Sequence, residues 1–214
     1  MSIQMCDMSS EESRRRMAEG RLYFPNDPDI MEEQTRCLER LYDFNETRPS
    51  ASARRQELMK EMFAEIGTGC YIEPPFYANW GGRHVHLGND VYANFGLTLV
   101  DDADIYIGDG CMLAPQVVIA TAGHPILPEL RRAGMQYNMP VRIGNNVWLG
   151  AGVRVMPGVT IGDNTVIGAG SVVTHDIPAG VVAVGVPCRV LREIGEHDRE
   201  FYYRDRPVDV PVDR

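Results

Sequence analysis

The chain has 214 residues, of which 44% are hydrophobic and 24% are charged, as expected for a globular protein with a substantial core. Its formal net charge of -9 argues against nucleic acid or an anionic membrane as a partner, because those partners attract surplus lysine and arginine. The sequence contains neither the apolar core of a signal peptide nor an apolar run long enough to span a bilayer. We therefore expect a soluble, cytoplasmic protein.

The cysteines are odd in number, widely separated and without a C-x-x-C pair. They are Cys6, Cys37, Cys70, Cys111 and Cys188. This pattern predicts neither a disulfide framework nor a zinc knuckle, and it fits a reducing compartment.

Residues 1–66 are predicted to form an N-terminal helical segment. The first helix begins at Ser9 or Ser10, has acidic residues in its first turn and ends at Gly20. The third helix is predicted over residues 50–67. Its expected buried side chains are Leu58, Met59, Met62 and Phe63.

The second helix has the clearest start signal of the three. Asp27 is predicted as its N-cap, followed by Pro28 at the first helical position. Apolar residues then fall near one stripe, which we expect to be buried. They are Ile30, Met31, Cys37, Leu38, Leu41 and Tyr42.

From Val85 onward, apolar residues recur every six positions. The repeats are VHLGND, VYANFG, LTLVDD, IYIGDG, CMLAPQ and VVIATA, followed after an interruption by VRIGNN, VWLGAG, VRVMPG, VTIGDN, TVIGAG and SVVTHD. The aliphatic residues at the third place are Leu87, Leu99, Ile107, Leu113, Ile119, Ile143, Leu149, Val155, Ile161, Ile167 and Val173. Such a repeat predicts short strands stacked as a parallel β-helix, here about four three-sided coils. We assign the β-helix to residues 67–190, and to residues 191–214 a C-terminal tail with a short helix or strand.

The repeat lapses in a loop over residues 121–140, a length that is uncommon unless the segment binds or covers something. Within it, His124 precedes Pro125, which biases the backbone of His124 towards extended conformations. An imidazole presented in this way suits a catalytic base, since its ordinary pKa of ~6.5 leaves it mostly neutral at cytoplasmic pH. A histidine that only anchors the loop is the alternative interpretation.

Several segments resemble the sugar O-acetyltransferases of the galactoside and maltose acetyltransferase family. They are IEPPFYANWGG, VYANFGLTLVDD, TAGHP, IGNNVWLGAGV, PGVTIGDNTVIGAGSVVTHDIP and GVPCRV, together with the N-terminal GRLYFPNDP and LYDFN. The resemblance implies a mainly β fold, a left-handed parallel β-helix with an N-terminal helical segment and an extruded loop. It also implies a homotrimer with active sites between subunits, acetyl-CoA as the acyl donor, a small sugar or glycoside as the acceptor, and no required metal.

The same resemblance assigns the acceptor side of the site. His124 corresponds to the general base that takes a proton from the sugar hydroxyl, and Asn94 to a contact of the reacting oxygen. Further acceptor contacts are implied at Asn79, Asp102, Gln136 and Trp148. The family's acidic contact after the first helix corresponds here to Pro25, and Asp27 is a candidate replacement.

The resemblance also implies a coenzyme A path lined by Ala151, Ala169, Thr174, His175, Arg189 and Arg192. Small side chains allow the pantetheine arm to approach backbone amides, and arginines suit phosphates. The amide of Ala151 is a candidate oxyanion donor. Cys188 is a conceivable nucleophile, but the resemblance implies direct transfer without a covalent intermediate.

Three other functions remain open. A γ-type carbonic anhydrase uses the same repeat and needs three histidines around a metal; His84 and His86 fall on one side of a strand, but no third histidine has the matching spacing. A non-catalytic trimeric scaffold is the second, since fold does not dictate function. The third is an acetyltransferase acting on an antibiotic or an amino acid, which would share the histidine chemistry and differ in its acceptor pocket.

Overall fold

The computed structural model describes residues 8–211, so Cys6 and the outermost residues of the predicted terminal segments lie outside the described chain. Helix α1 (Ser10–Ala18) is capped by Ser9, whose hydroxyl accepts a hydrogen bond from the backbone N–H of Glu12 at 3.2 Å. Helix α2 (Pro28–Asn45) is capped by Asp27, as predicted. Both helices therefore begin where short polar side chains satisfy free N–H groups.

The buried face of α2 differs from the predicted stripe. Its buried side chains are Ile30, Cys37, Leu41 and Phe44. Three members of the predicted stripe are instead exposed by 40% or more: Met31, Leu38 and Tyr42. Each of these residues directly follows a buried residue of the helix, so its side chain projects about 100° further around the helix axis.

Helix α3 (Ser52–Met62) ends earlier than predicted. Phe63 has an extended backbone, with φ -81° and ψ 145°, and two residues later the chain enters the first strand. The predicted buried side of the helix is confirmed, since Leu58, Met59, Met62 and Phe63 are all buried.

Three coils of short strands precede the loop. The first comprises β1 (Glu65–Ile66), β2 (Tyr71–Ile72) and β3 (Tyr77–Ala78). The second comprises β4 (Val85–Leu87), β5 (Tyr92–Ala93) and β6 (Thr98–Val100), and the third β7 (Ile105–Ile107), β8 (Met112–Leu113) and β9 (Val118–Ala120). The loop itself contains β10 (Ala122–Gly123), α4 (Pro128–Arg132) and β11 (Tyr137–Asn138).

Two further complete coils follow the loop. They comprise β12 (Val141–Ile143), β13 (Trp148–Leu149) and β14 (Arg154–Val155), then β15 (Thr160–Ile161), β16 (Val166–Ile167) and β17 (Val172–Val173). After β18 (Val181–Val184), the chain reverses into β19 (Arg189–Glu193) and ends in α5 (Glu196–Glu200), β20 (Phe201–Tyr203) and β21 (Arg206–Pro207). The C-terminal region thus contains both helix and strand.

Corresponding strands of successive coils pair in parallel and build three faces. Face 1 has the order β1-β4-β7-β12-β15, face 2 contains β2-β5-β8-β13-β16-β18, and face 3 contains β3-β6-β9-β14-β17. The third-place aliphatic residues predicted from the repeat are all buried between these faces. The parallel β-helix is therefore confirmed. Asn146 and Asn164 have φ near +55° at corners, a conformation that asparagine tolerates better than most residues.

The twelve predicted repeats form four coils, as expected, but the β-helix also has a complete coil before them and a partial coil after them, which were not predicted. The extra first coil begins at Glu65, and its third-place residues are Ile66, Ile72 and Ala78. Three additional residues, 82–84, separate it from the next repeat and conceal its register. The partial sixth coil starts at Ile177, which bridges Ile161. The division into segments 1–66, 67–190 and 191–214 stays a prediction.

Candidate active site

The loop leaves the prism at the corner between faces 3 and 1, called the loop corner below. Strands β10 and β11 pair antiparallel, with Ala122 opposite Asn138 and Gly123 opposite Tyr137. This hairpin closes the base of the loop and places His124 directly after β10. The histidine is thus carried by an ordered hairpin on a rigid stack of coils.

The His124 side chain is exposed, and its Nδ1 lies 2.9 Å from the backbone oxygen of Met135. Because a carbonyl oxygen can only accept, Nδ1 must donate its hydrogen there, and Nε2 of the neutral ring then keeps its lone pair. This is the tautomer that a general base needs. The Met135 carbonyl was missed in the sequence analysis, since backbone groups leave no residue-type signal.

Asp102 follows β6 at the same corner and is 7% exposed. Its Oδ2 accepts a hydrogen bond from Nδ2 of Asn79 at 2.9 Å, and its Oδ1 accepts one from Nε2 of Gln136 at 3.2 Å. Three predicted acceptor contacts are therefore brought together by the fold. An ionised carboxylate has about four lone-pair sites, so Asp102 retains capacity for hydroxyl donors.

Two buried residues that the sequence analysis missed complete this cluster, namely Tyr23 and Asn138. The Tyr23 hydroxyl accepts from Nε2 of Gln136 at 2.6 Å and from Nδ2 of Asn138 at 3.1 Å. Burial, reinforced by the nearby charge of Asp102, raises the pKa of Tyr23 to about 12. Tyr23 stands more than 100 residues before its partners, so no local spacing reveals the contact.

A second group of predicted residues lies on face 2 and at the corner between faces 2 and 3. Asn94 follows β5 at this corner, and Trp148 projects from β13 with 53% of its surface exposed. Ala151 and Ala169 occupy the same corner on consecutive coils, where Gly170 donates its N–H to the Ala151 oxygen at 2.8 Å. Within the described chain, the Ala151 N–H donates to no backbone oxygen.

The remaining residues of the predicted coenzyme A path lie towards the C-terminal end of the prism. Arg189 and Arg192 are on β19, at the end of the sheet that forms face 2. Arg192 makes two 2.7 Å hydrogen bonds to Asp198, which hold the pKa of that carboxyl far below its usual range. Thr174 and His175 follow β17 at the loop corner and contact each other at 2.9 Å.

A single chain does not bring the two groups together. In a three-sided prism face 2 lies opposite the loop corner, so Trp148 and His124 are on opposite sides. Asn94 and Asp102 similarly lie at two different corners, one before and one after β6.

Asp27, the candidate replacement for an acidic contact at Pro25, is occupied as a helix cap. Its Oδ1 accepts from the N–H groups of Asp29 and Ile30 at 3.0 and 3.2 Å, and its Oδ2 accepts from the Ser10 hydroxyl at 2.8 Å. These contacts direct the carboxylate to α1 and α2.

The two histidines of the metal alternative have other partners. Nδ1 of His84 lies 2.7 Å from the Asp101 backbone oxygen, and the two ring nitrogens of His86 face Glu65 and Asp104 at 2.9 and 3.3 Å. In residues 8–211, no three His, Cys, Asp or Glu side chains are grouped in a way that could hold a metal ion. The same part of the chain has no helix with the length and apolar character needed to cross a membrane.

A parallel β-helix of hexapeptide repeats with a histidine on an inserted loop is typical of hexapeptide-repeat acyltransferases. Two family models match the chain. The maltose acetyltransferase hexapeptide capping motif matches residues 16–67, and the bacterial transferase hexapeptide model, with six repeats, matches residues 140–175.

Known proteins extend this match to almost the whole chain. Galactoside O-acetyltransferase of Lactococcus lactis is 52% identical, covering 95% of this chain and 98% of the relative, and that of Escherichia coli is 47% identical, covering 92% and 97%. The structure of a galactoside acetyltransferase in complex with coenzyme A has a TM-score of 0.89 at 46% identity, covering 92% of this chain and 98% of that one. The chain belongs to the galactoside and maltose O-acetyltransferase family, a family of acetyl-CoA-dependent enzymes.

Proposed function

We propose that this enzyme transfers the acetyl group of acetyl-CoA to a hydroxyl of a galactoside- or maltose-like sugar, with His124 as the general base. The observation that carries the mechanism is the contact between His124 Nδ1 and the Met135 oxygen, which leaves Nε2 free to accept a proton. Membership of the family supports the reaction, and the names of the relatives at 47–52% identity support the sugar acceptor.

The reaction proceeds by direct attack. His124 Nε2 accepts the proton of the acceptor hydroxyl while its oxygen bonds to the thioester carbonyl carbon, giving a tetrahedral oxyanion. The Ala151 N–H is available to stabilise that oxyanion. When the carbon–sulfur bond breaks, the coenzyme A sulfur leaves and takes the proton from the imidazolium, so the histidine returns to its starting form.

The acceptor is held through Asp102. Amide groups of Asn79 and Gln136 fix its two oxygens, and the remaining lone pairs accept hydrogen bonds from sugar hydroxyls. A carboxylate fixed in this way suits a polyol, which offers several neighbouring donors. Asn94 contacts the reacting oxygen, and the Trp148 ring forms an apolar wall.

We also infer that the enzyme is a homotrimer whose sites are shared between subunits. A single chain holds His124 and Trp148 on opposite sides of the prism, so one complete site requires two copies. Face 2 also presents a ridge of large apolar side chains that are 41–57% exposed, as expected of an interaction surface. They are Tyr71, Tyr92, Met112 and Trp148.

The donor binds along the C-terminal half of the prism. Ala151 and Ala169 leave room for the pantetheine arm beside the backbone, with Thr174 and His175 from the loop corner of a neighbouring subunit on its other side. Of the two arginines proposed for the phosphates, Arg192 is already paired with Asp198, so Arg189 has the more available charge. Buried free thiols at Cys37, Cys70, Cys111 and Cys188 support a reducing, cytoplasmic location.

A panel of monosaccharides, galactosides and maltosides incubated with acetyl-CoA tests the proposal through release of the coenzyme A thiol. Amino acids and aminoglycosides belong in the same panel. We expect thiol release that depends on the enzyme and is largest with sugars or glycosides. Preferential turnover of the non-sugar acceptors would contradict the assigned acceptor class.

A further inference from the structure

We propose that Tyr23 is a positioning residue of the acceptor site, which makes the segment Gly20–Phe24 part of the structure that selects the sugar. The inference rests on the proposed function, since it concerns how Gln136 and Asp102 are held towards the acceptor. Tyr23 itself is only 1% exposed, which leaves it almost no surface for direct contact with a substrate.

The backbone of Tyr23 is hydrogen-bonded to the loop. Its N–H donates to the Gln136 oxygen at 2.9 Å, and the Gln136 N–H donates back to the Tyr23 oxygen at 3.1 Å. This antiparallel bridge adds the N-terminal segment to the hairpin of β10 and β11. Gly20 permits the close approach: its φ is +66°, and a Cβ there would lie 2.9 Å from the Asn138 oxygen.

The Tyr23 hydroxyl then fixes two amides. It accepts from Gln136 Nε2 and Asn138 Nδ2, and its own hydrogen can be donated to Asn138 Oδ1, at 3.4 Å. With a pKa of about 12 the phenol stays protonated, so it acts as a neutral acceptor and donor. All three side chains are at least nine-tenths buried, and an amide deprived of this oxygen would have no water to replace it.

Gln136 links the Tyr23 hydroxyl to Asp102. The Nε2 atom of Gln136 lies 2.6 Å from the Tyr23 hydroxyl and 3.2 Å from both Asp102 Oδ1 and Asn138 Oδ1, so its two hydrogens have three acceptors. The shorter contact holds the amide at the Tyr23 hydroxyl, in an orientation that leaves one N–H within reach of Asp102. Without the hydroxyl the amide can turn towards Asn138 Oδ1, and Asp102 then loses one of the two groups that fix it.

Tyr23→Phe tests this with minimal change of shape. We expect the acceptor KM to rise roughly five- to tenfold, the effect of losing one hydrogen bond of ordinary net strength. The acetyl-CoA KM and the acid limb of the pH–rate profile should be unchanged, because the backbone bridge and the His124 contact remain. Tyr42→Phe is the matched control, since it removes a hydroxyl from the exposed side of α2.

A merely structural role would instead lower the melting temperature and the active fraction, with both KM values unchanged, and that result would overturn the proposal. The Gln136→Met variant is an independent test, and together with the Tyr23→Phe, Gln136→Met double variant it completes a double-mutant cycle. Because both residues act through one hydrogen bond, the acceptor KM of the double variant should match that of Gln136→Met alone. Multiplying effects would contradict the proposal. Absence of sugar turnover by the wild-type enzyme would contradict the proposed function itself.

Discussion

Two residues are candidates for starting the transfer, His124 as a general base and Cys188 as a nucleophile. Their environments in the structure differ. His124 is exposed on the loop with a fixed tautomer. Cys188 is 1% exposed, and burial raises the pKa of its thiol, which keeps it protonated at neutral pH. Since the thiolate is the nucleophile, the geometry favours direct transfer over an acetyl-cysteine intermediate.

Replacement of Cys188 tests this distinction. Cys188→Ser and Cys188→Ala should retain a kcat close to that of the wild type, since the thiol serves only as a small buried group. Mass spectrometry after incubation with acetyl-CoA, without acceptor, should show no added acetyl group on the wild-type protein. Acetylated protein together with ping-pong kinetics would point to a covalent route instead.

The residues of the proposed acceptor site could be predicted only in part from the sequence. Asn79, Asp102 and Gln136 were assigned by resemblance, and the fold brings them into contact. Tyr23 and the Met135 carbonyl could not be predicted. The former meets its partner across more than 100 residues, and the latter acts through an atom that every residue has.

At the scale of elements, local signals predicted the starts of helices better than their faces or ends. Asp27 is the predicted cap of α2, and Ser9 is one of the two candidates predicted for α1, since short polar side chains are strongly preferred at this position. The apolar pattern of α2 could not separate two neighbouring stripes, because packing against the first coil decides which is buried. The end of α3 depends on the start of β1, a constraint of the whole fold.

The Asp27 cap makes a prediction about stability. Burial alone would raise the pKa of Asp27, but hydrogen bonds from the Ser10 hydroxyl and the N–H groups of Ile30 and Asp29 outweigh it and hold the pKa below its usual value. A lowered pKa means that the carboxylate stabilises the fold above its unfolded pKa of ~3.9, and that this stability is lost as the pH falls through the folded value.

Asp27→Ala should therefore reduce the free energy of unfolding by about 1 kcal/mol at neutral pH, and the deficit should shrink below about pH 4. Urea denaturation followed by circular dichroism, at one protein concentration, measures both. Asp27→Asn is the matched control, since asparagine caps without a charge and should show a smaller deficit with little pH dependence. An acceptor KM raised by both variants would instead assign Asp27 to the sugar site.

At the scale of the whole molecule, the six-residue repeat predicted the parallel β-helix, the interior positions and the site of the loop. It did so because each coil repeats the same physical task, filling one layer of a narrow core. The first coil was not predicted, because three inserted residues shift its hexapeptide register relative to the later repeats. The repeat also does not predict the oligomeric assembly, because the sequence of one chain does not show which faces pack against each other.

The trimer and its shared sites can be tested by mixing subunits. The wild type should have a solution mass three times that of the 23.9 kDa chain. His124→Ala and Trp148→Ala subunits, each poorly active alone, should regain activity when unfolded together and refolded, because some sites then combine an intact His124 with an intact Trp148. A monomeric mass, or no recovery in mixtures that do form trimers, would place each site within one chain.

The role of His124 is tested most directly by the pH dependence of acetyl-sugar formation in the wild type and in His124→Ala, with acetyl-CoA binding measured separately. We expect the variant to bind acetyl-CoA normally while kcat falls by roughly 10²–10⁴, the usual contribution of a positioned base. The wild-type rate should decline towards acid pH as the imidazole takes up a proton, and this decline should be absent from the residual rate of the variant. A variant that keeps most of its kcat, or the same acid decline, would contradict His124 as the general base.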